Sequence, residues 1–145
     1  MKKLNYARVV LGGFAAAITF MVVEFIVEGV AYLMFRTGET ELWQEAFGAF
    51  PTGARFQAVN LLVLLAICIV MIWVYAVFRA YFGPGPRTAI ITALVLWLFL
   101  LLVWVNFVNL GVFPVKIAAL SLVFTLLEIP SAAVVGAAVY KEKDS

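Results

Sequence analysis

The chain contains no histidine, and it holds one cysteine and one aspartate, Cys68 and Asp144. Without histidine there is no His-ligated haem, most zinc and copper sites are closed, and no imidazole serves as general base. A lone cysteine excludes an intramolecular disulfide, and Cys68, inside an apolar run, reads as a small buried hydrophobe. Charge is scarce as well. Charged residues make up 12% of the chain, against about 25% in soluble domains. No serine has a base partner, and glutamates without histidine make a poor transition-metal site. The expectation is a protein that is not an enzyme and carries no cofactor or metal. The net charge of +2 is small, and the ten Lys and Arg sit at segment ends rather than in one patch, so nucleic acid is not an expected partner.

What fills the chain is apolar: 66% of its 145 residues are hydrophobic. A soluble fold of this size has no room to hide that surface, so the solvent is lipid. The apolar segments run over 7–35, 58–82, 88–110 and 115–140, each long enough for a bilayer, which needs about 20 residues. In lipid each must be a helix, because only a helix satisfies its own backbone. The N-terminal stretch imitates a signal peptide, but its apolar run continues past Ala15-Ala16-Ala17, and the expectation is a retained first span. The fold class expected is an all-α membrane protein: one four-transmembrane-helix bundle over 1–145, with a short interfacial helix in the first outer loop.

The basic residues orient it. Lys2, Lys3, Arg8, Arg79, Arg87, Lys141 and Lys143 fall on one side, and Arg36, Arg55 and Lys116 on the other. Positive charge collects in the cytoplasm, so both termini are expected there, in a cell inner membrane. Arg79 and Arg87 are expected to snorkel to the headgroups. Between the first two spans, Leu42, Trp43, Ala46, Phe47 and Phe50 recur at helical spacing, which predicts a surface-lying helix ended by Gly48 and Pro51. Pro130, inside the fourth span, removes a hydrogen bond to Leu126 and predicts a kink.

Small residues mark where membrane helices touch. Gly12, Gly13, Ala16 and Ala17 in the first span and Ala132, Ala133, Gly136 and Ala137 in the fourth repeat at intervals of four. Those two helices are expected to pack closely and antiparallel, with the bulkier pair around them.

Three carboxylates interrupt the spans. Glu24 and Glu28 share one helix face, and Glu128 stands near the middle of the fourth span. An ionisable group at membrane depth is a functional-site hypothesis by default. At 1.5 Å per residue Glu24 lies about 16 Å below Phe35 and Glu128 about 20 Å below Val115, so the two reach similar depths. A close pair in low dielectric is expected to share a proton and titrate as a unit. Asn106 and Asn109 are placed to donate to that polar site, to cap their helix, or to face water. Glu28, about 6 Å further out, is expected to be interfacial and hydrated. Three accounts of the Glu24–Glu128 pair stay open. It is structural, it binds and releases a proton or cation in transport, or it faces a partner subunit. The leading functional expectation is a small structural or accessory protein, a homo-oligomer or a subunit of a membrane assembly. Its alternative is a proton- or cation-coupled transporter.

One motif is distinctive. Phe82-Gly83-Pro84-Gly85-Pro86-Arg87-Thr88-Ala89, with Gly12-Gly13 near the start of the first span and Glu128 in the fourth, resembles a group of small uncharacterised bacterial four-span integral membrane proteins. Those share an F-G-P-G-P-[KR]-T-A cytoplasmic turn between the second and third spans. The resemblance implies a bacterial origin and this topology, and it carries over no activity or binding residue.

Overall fold

In a computed structural model the chain forms five helices over the described residues, 4–48 and 52–141, with no strand among them. They are α1 (Tyr6–Phe35), α2 (Glu39–Phe47), α3 (Ala54–Phe82), α4 (Pro86–Asn109) and α5 (Val115–Val139). All but α2 are long and apolar enough to cross a membrane, and the protein is an all-α, four-helix membrane bundle. Phe50, expected among the apolar residues of the interfacial helix, and Pro51, expected to end it, lie outside the described residues. The helix ends within them at Phe47, with Gly48 in the left-handed conformation at φ 81°.

α1, α3 and α4 start before their apolar segments do, because hydropathy marks where lipid ends, not where a helix does. α3 begins at Ala54 rather than near Ala58, which brings Arg55, Phe56 and Gln57 into its first turn. α1 holds 30 residues and is about 45 Å long, beyond the hydrocarbon thickness of about 30 Å. Asn5 starts it, its Oδ1 accepting from the Arg8 amide at 3.3 Å, and Arg36 ends it at φ 55°. α5 runs unbroken through Pro130.

The most extensive contact is between α1 and α5, as the small-residue pattern predicts. At the crossing a Cβ added to Gly12 would sit 2.7 Å from the Gly136 carbonyl oxygen, and one added to Gly136 would sit 2.7 Å from that of Gly12. Only glycine at both positions allows the two backbones so close. Ala16, Ala17, Ala132, Ala133 and Ala137 are buried in the same core. Gly13 corrects the expectation. It faces α3, where an added Cβ would strike the Ile69 side chain and come within 2.8 Å of its Cα. Neighbouring positions on a helix point about 100° apart, so Gly12 serves α5 and Gly13 serves α3. Cys68 is buried in this core as a free thiol.

α3 and α4 turn Leu61, Leu62, Ile67, Leu98, Phe99 and Leu102 outward, where lipid matches them. The turn between α3 and α4 is held from inside. Gly83 and Gly85 take φ of 80° and 129°, values that favour glycine. The Gly85 amide donates to the Tyr75 hydroxyl at 3.3 Å, and the Thr88 hydroxyl donates to the Gly83 carbonyl at 2.7 Å. Pro86 then opens α4 in its first turn.

Candidate functional site

Near the α2 end of the bundle, α1, α2, α3 and α5 enclose an open cavity of about 450 Å³. Glu24 and Glu28 of α1 and Glu39 of α2 line it, with Thr40 beside them. Aromatic rings supply the rest of the wall: Trp43 of α2, Phe56 of α3 and Phe124 of α5, with Asn60 of α3. No Lys or Arg is among these lining residues.

The position of α2 follows from the carboxylates. The first amides of a helix have no partner inside it and favour negative charge. Glu28 supplies that charge. Its Oε2 accepts from the Glu39 amide at 3.1 Å, and its Oε1 accepts from the Thr40 amide at 3.4 Å. Gly38 makes the approach feasible, because a Cβ there would strike the Glu28 carboxylate. Glu41 Oε2 accepts from the Gly38 amide at 2.9 Å, closing the same end. Glu28 therefore has a bonded role beyond the interfacial one expected of it. It is half-buried and holds the start of α2 against α1.

Glu39 ties α2 to α5. Its Oε1 accepts from the Ser121 hydroxyl at 2.6 Å and from the Trp43 indole Nε1 at 3.4 Å. At the far end of α2, Trp43 and Phe47 pack on Phe113 with centroids 5.5 and 6.0 Å away. Trp104 and Phe107 of α4 meet Phe113 from its other side at 5.0 and 5.7 Å. Thus α2 is fastened at both ends, by carboxylates near α1 and α5 and by rings near the α4–α5 turn. The short helix of the first outer loop is therefore anchored to the bundle.

Glu24 and Glu128 differ from these bonded carboxylates. Glu24 lies open on the cavity wall, and no hydrogen bond reaches its carboxylate among the described residues. Glu128 is 3% exposed. It stands one turn along α5 from Phe124, on the same face, and Phe124 lines the cavity. Its carboxylate interacts electrostatically with those of Glu24, Glu39 and Glu28. No described donor bonds to it. Because no described side-chain oxygen sealed from solvent lacks a partner, the small remaining opening of Glu128 lies at the carboxylate itself. Glu24 and Glu128 thus lie within electrostatic range of each other, with Glu39 and Glu28 in range as well.

Asn106 and Asn109 do not join them. Both are exposed at the end of α4, and Asn109 lines a separate groove with Trp104, Val108 and Val115. Asn60 of α3 is the asparagine on the cavity. Arg79 is not only an interfacial anchor: its guanidinium lies over the Tyr140 ring, 5.6 Å from the centroid, and Tyr75 meets that ring edge-on at 6.1 Å. Arg87 is exposed at the start of α4.

Sequence reasoning missed Glu39, Ser121, Phe56 and Phe124. Two signals were present. Ser121, Phe124 and Glu128 fall at helical spacing on one face of α5, and Glu39 follows the Gly38 that ends the α1–α2 link, where a first-turn carboxylate belongs. Compared with protein-family models, curated proteins and solved structures, the chain matches none.

Proposed function

We propose that this small multi-pass membrane protein takes up and releases a proton or another cation at Glu24 and Glu128, as a coupled carrier. The observation behind it is the cavity wall: among the described residues it holds three carboxylates and no Lys or Arg, and a buried fourth carboxylate, Glu128, interacts with them electrostatically. Like charges in a low-dielectric site repel strongly unless a cation or proton sits among them. The groups facing the pair are Glu28 from α1 and Glu39 from α2. Among the described residues α3 contributes Phe56 and Asn60 to the cavity wall. Glu28 and Glu39 are engaged by amides, a hydroxyl and an indole. That leaves Glu24 and Glu128 to exchange the cation. The positive-inside distribution supports a topology with both termini in the cytoplasm and the cavity toward the outer face of a bacterial inner membrane.

The other reading is a structural or accessory subunit, working as a homo-oligomer or beside a membrane partner. The broad apolar faces of α3 and α4 suit a partner helix as well as lipid. Purified protein in liposomes separates the two. A carrier dissipates an imposed proton or cation gradient, and Glu128→Gln abolishes that flux while the protein stays folded. Liposomes as tight as protein-free ones, with a second membrane protein co-purifying in mild detergent, establish the accessory role instead.

A further inference from the structure

We infer that the cavity takes an organic monocation, an ammonium group carrying apolar or aromatic substituents, with Glu24 as its counter-charge. The inference rests on the cation-handling reading above and names the ligand class of the same site. Three observations point to it.

The first is the wall itself. Trp43, Phe56 and Phe124 sit among the carboxylates, and aromatic faces beside negative charge are the chemistry that holds alkylammonium groups. A small hydrated inorganic ion gains nothing from those rings. The second is coordination. Among the described residues no group of three or more Cys, Asp or Glu converges closely enough to hold a metal ion, so the carboxylates line a chamber and do not chelate. The third is fit. A space of about 450 Å³ falls within the range of about 300–1,000 Å³ typical of small-molecule sites. Behind the wall, one turn along α5 from Phe124, Glu128 is 3% exposed and interacts electrostatically with Glu24, so a second carboxylate adds to the field that the ligand's charge meets.

The exchange balances without a further reactant. The cation enters as a proton leaves Glu24 for water, and the reverse restores it. Free organic ammonium compounds and the ethanolamine headgroup of a lipid carry the same chemistry.

The test uses the full chain in nanodiscs of phosphatidylglycerol, titrated with benzyltrimethylammonium and followed by Trp fluorescence and calorimetry. The control ligand is neopentylbenzene, which has the same shape without the charge. The expected result is saturable binding of the cation, at least about tenfold tighter than that of the neutral isostere. Glu24→Gln weakens it by about tenfold or more. Glu24 makes no hydrogen bond among the described residues, so Glu24→Gln keeps the fold, which helical circular dichroism checks. Equal binding of the isostere, or full binding by Glu24→Gln, overturns the inference. So does displacement of the probe by sodium as readily as by a second alkylammonium salt. Nanodiscs containing phosphatidylethanolamine identify the source: competition there assigns the site to the lipid headgroup, and unchanged binding assigns it to a free amine. A protein that moves protons in liposomes yet ignores the probe refutes the ligand class and leaves the carrier reading intact. One that binds the probe and moves nothing does the reverse.

Discussion

The Ser121 hydroxyl of α5 donates to the Glu39 carboxylate of α2 across 2.6 Å, and this bond decides where the short helix sits. It joins residues from separate parts of the chain, and it places one carboxylate of the cavity within reach of the others. Ser121 is buried at 5% exposure, so its removal leaves Glu39 without its shortest donor. A hydrogen bond to a charged group contributes about 1.5–3 kcal/mol. Ser121→Ala is expected to loosen α2 without unfolding the bundle. Hydrogen exchange reads it directly: amides of 42–47 exchange faster by about tenfold or more, while those of α3 and α4 keep their rates.

The fit of Gly38 to Glu28 gives a second prediction. Gly38→Ala drives a methyl group into the Glu28 carboxylate and detaches it from the Glu39 and Thr40 amides. Glu28→Gln retains one of the two acceptor oxygens at that helix start and forfeits the other together with the charge, an effect of about 1.5–3 kcal/mol. The glycine variant is therefore expected to be the more damaging of the two, by the rate at which protease cuts between α1 and α3.

The α1–α5 crossing gives a third. Gly136→Leu has no room, because even a Cβ there meets the Gly12 carbonyl oxygen at 2.7 Å and Ala16 Cβ at 3.0 Å. Overpacking of this kind costs about 1–3 kcal/mol or more, seen as a lower midpoint for thermal unfolding in detergent. Gly29 is the control. Nothing lies within 4 Å of a Cβ added there, and Gly29→Ala in a helix is expected to stabilise by about 0.5–1 kcal/mol.

At the other end of the bundle, Tyr75→Phe removes the acceptor for the Gly85 amide. The loss is expected to be about 0.5–1.5 kcal/mol, with faster exchange at Gly85 and unchanged binding or flux at the distant cavity. A change in flux from this variant would mean the two ends are coupled.

Much of this arrangement was legible in the chain. Lipid imposes helices on long apolar runs, so the spans followed from composition. The four-residue spacing of Gly12, Ala16, Ala132 and Gly136 marked the α1–α5 contact because close backbone approach demands small residues. Matched depths then put Glu24 beside Glu128. What stayed hidden depended on how a link folds back. Hydropathy placed α2 at the interface, but only the capture of its first amides by Glu28 turns Glu39 and Trp43 inward. Asn106 and Asn109 had suitable depth and the wrong azimuth: α4 packs mainly on α5, and its end points both away from the cavity. Gly13 failed likewise, since a stripe of small residues gives spacing without saying which neighbour each one meets.

The central claim is that Glu24 and Glu128 act as one cation site. A double-mutant cycle on gradient-driven flux in liposomes tests it most directly, with wild type, Glu24→Gln, Glu128→Gln and the double variant at equal protein density. Residues that act as a unit give strongly non-additive effects. The account predicts that each single variant lowers flux by about tenfold or more and that the double variant is no slower than the slower single one. Single effects that multiply in the double variant, or flux in all four samples equal to that of protein-free liposomes, would contradict it.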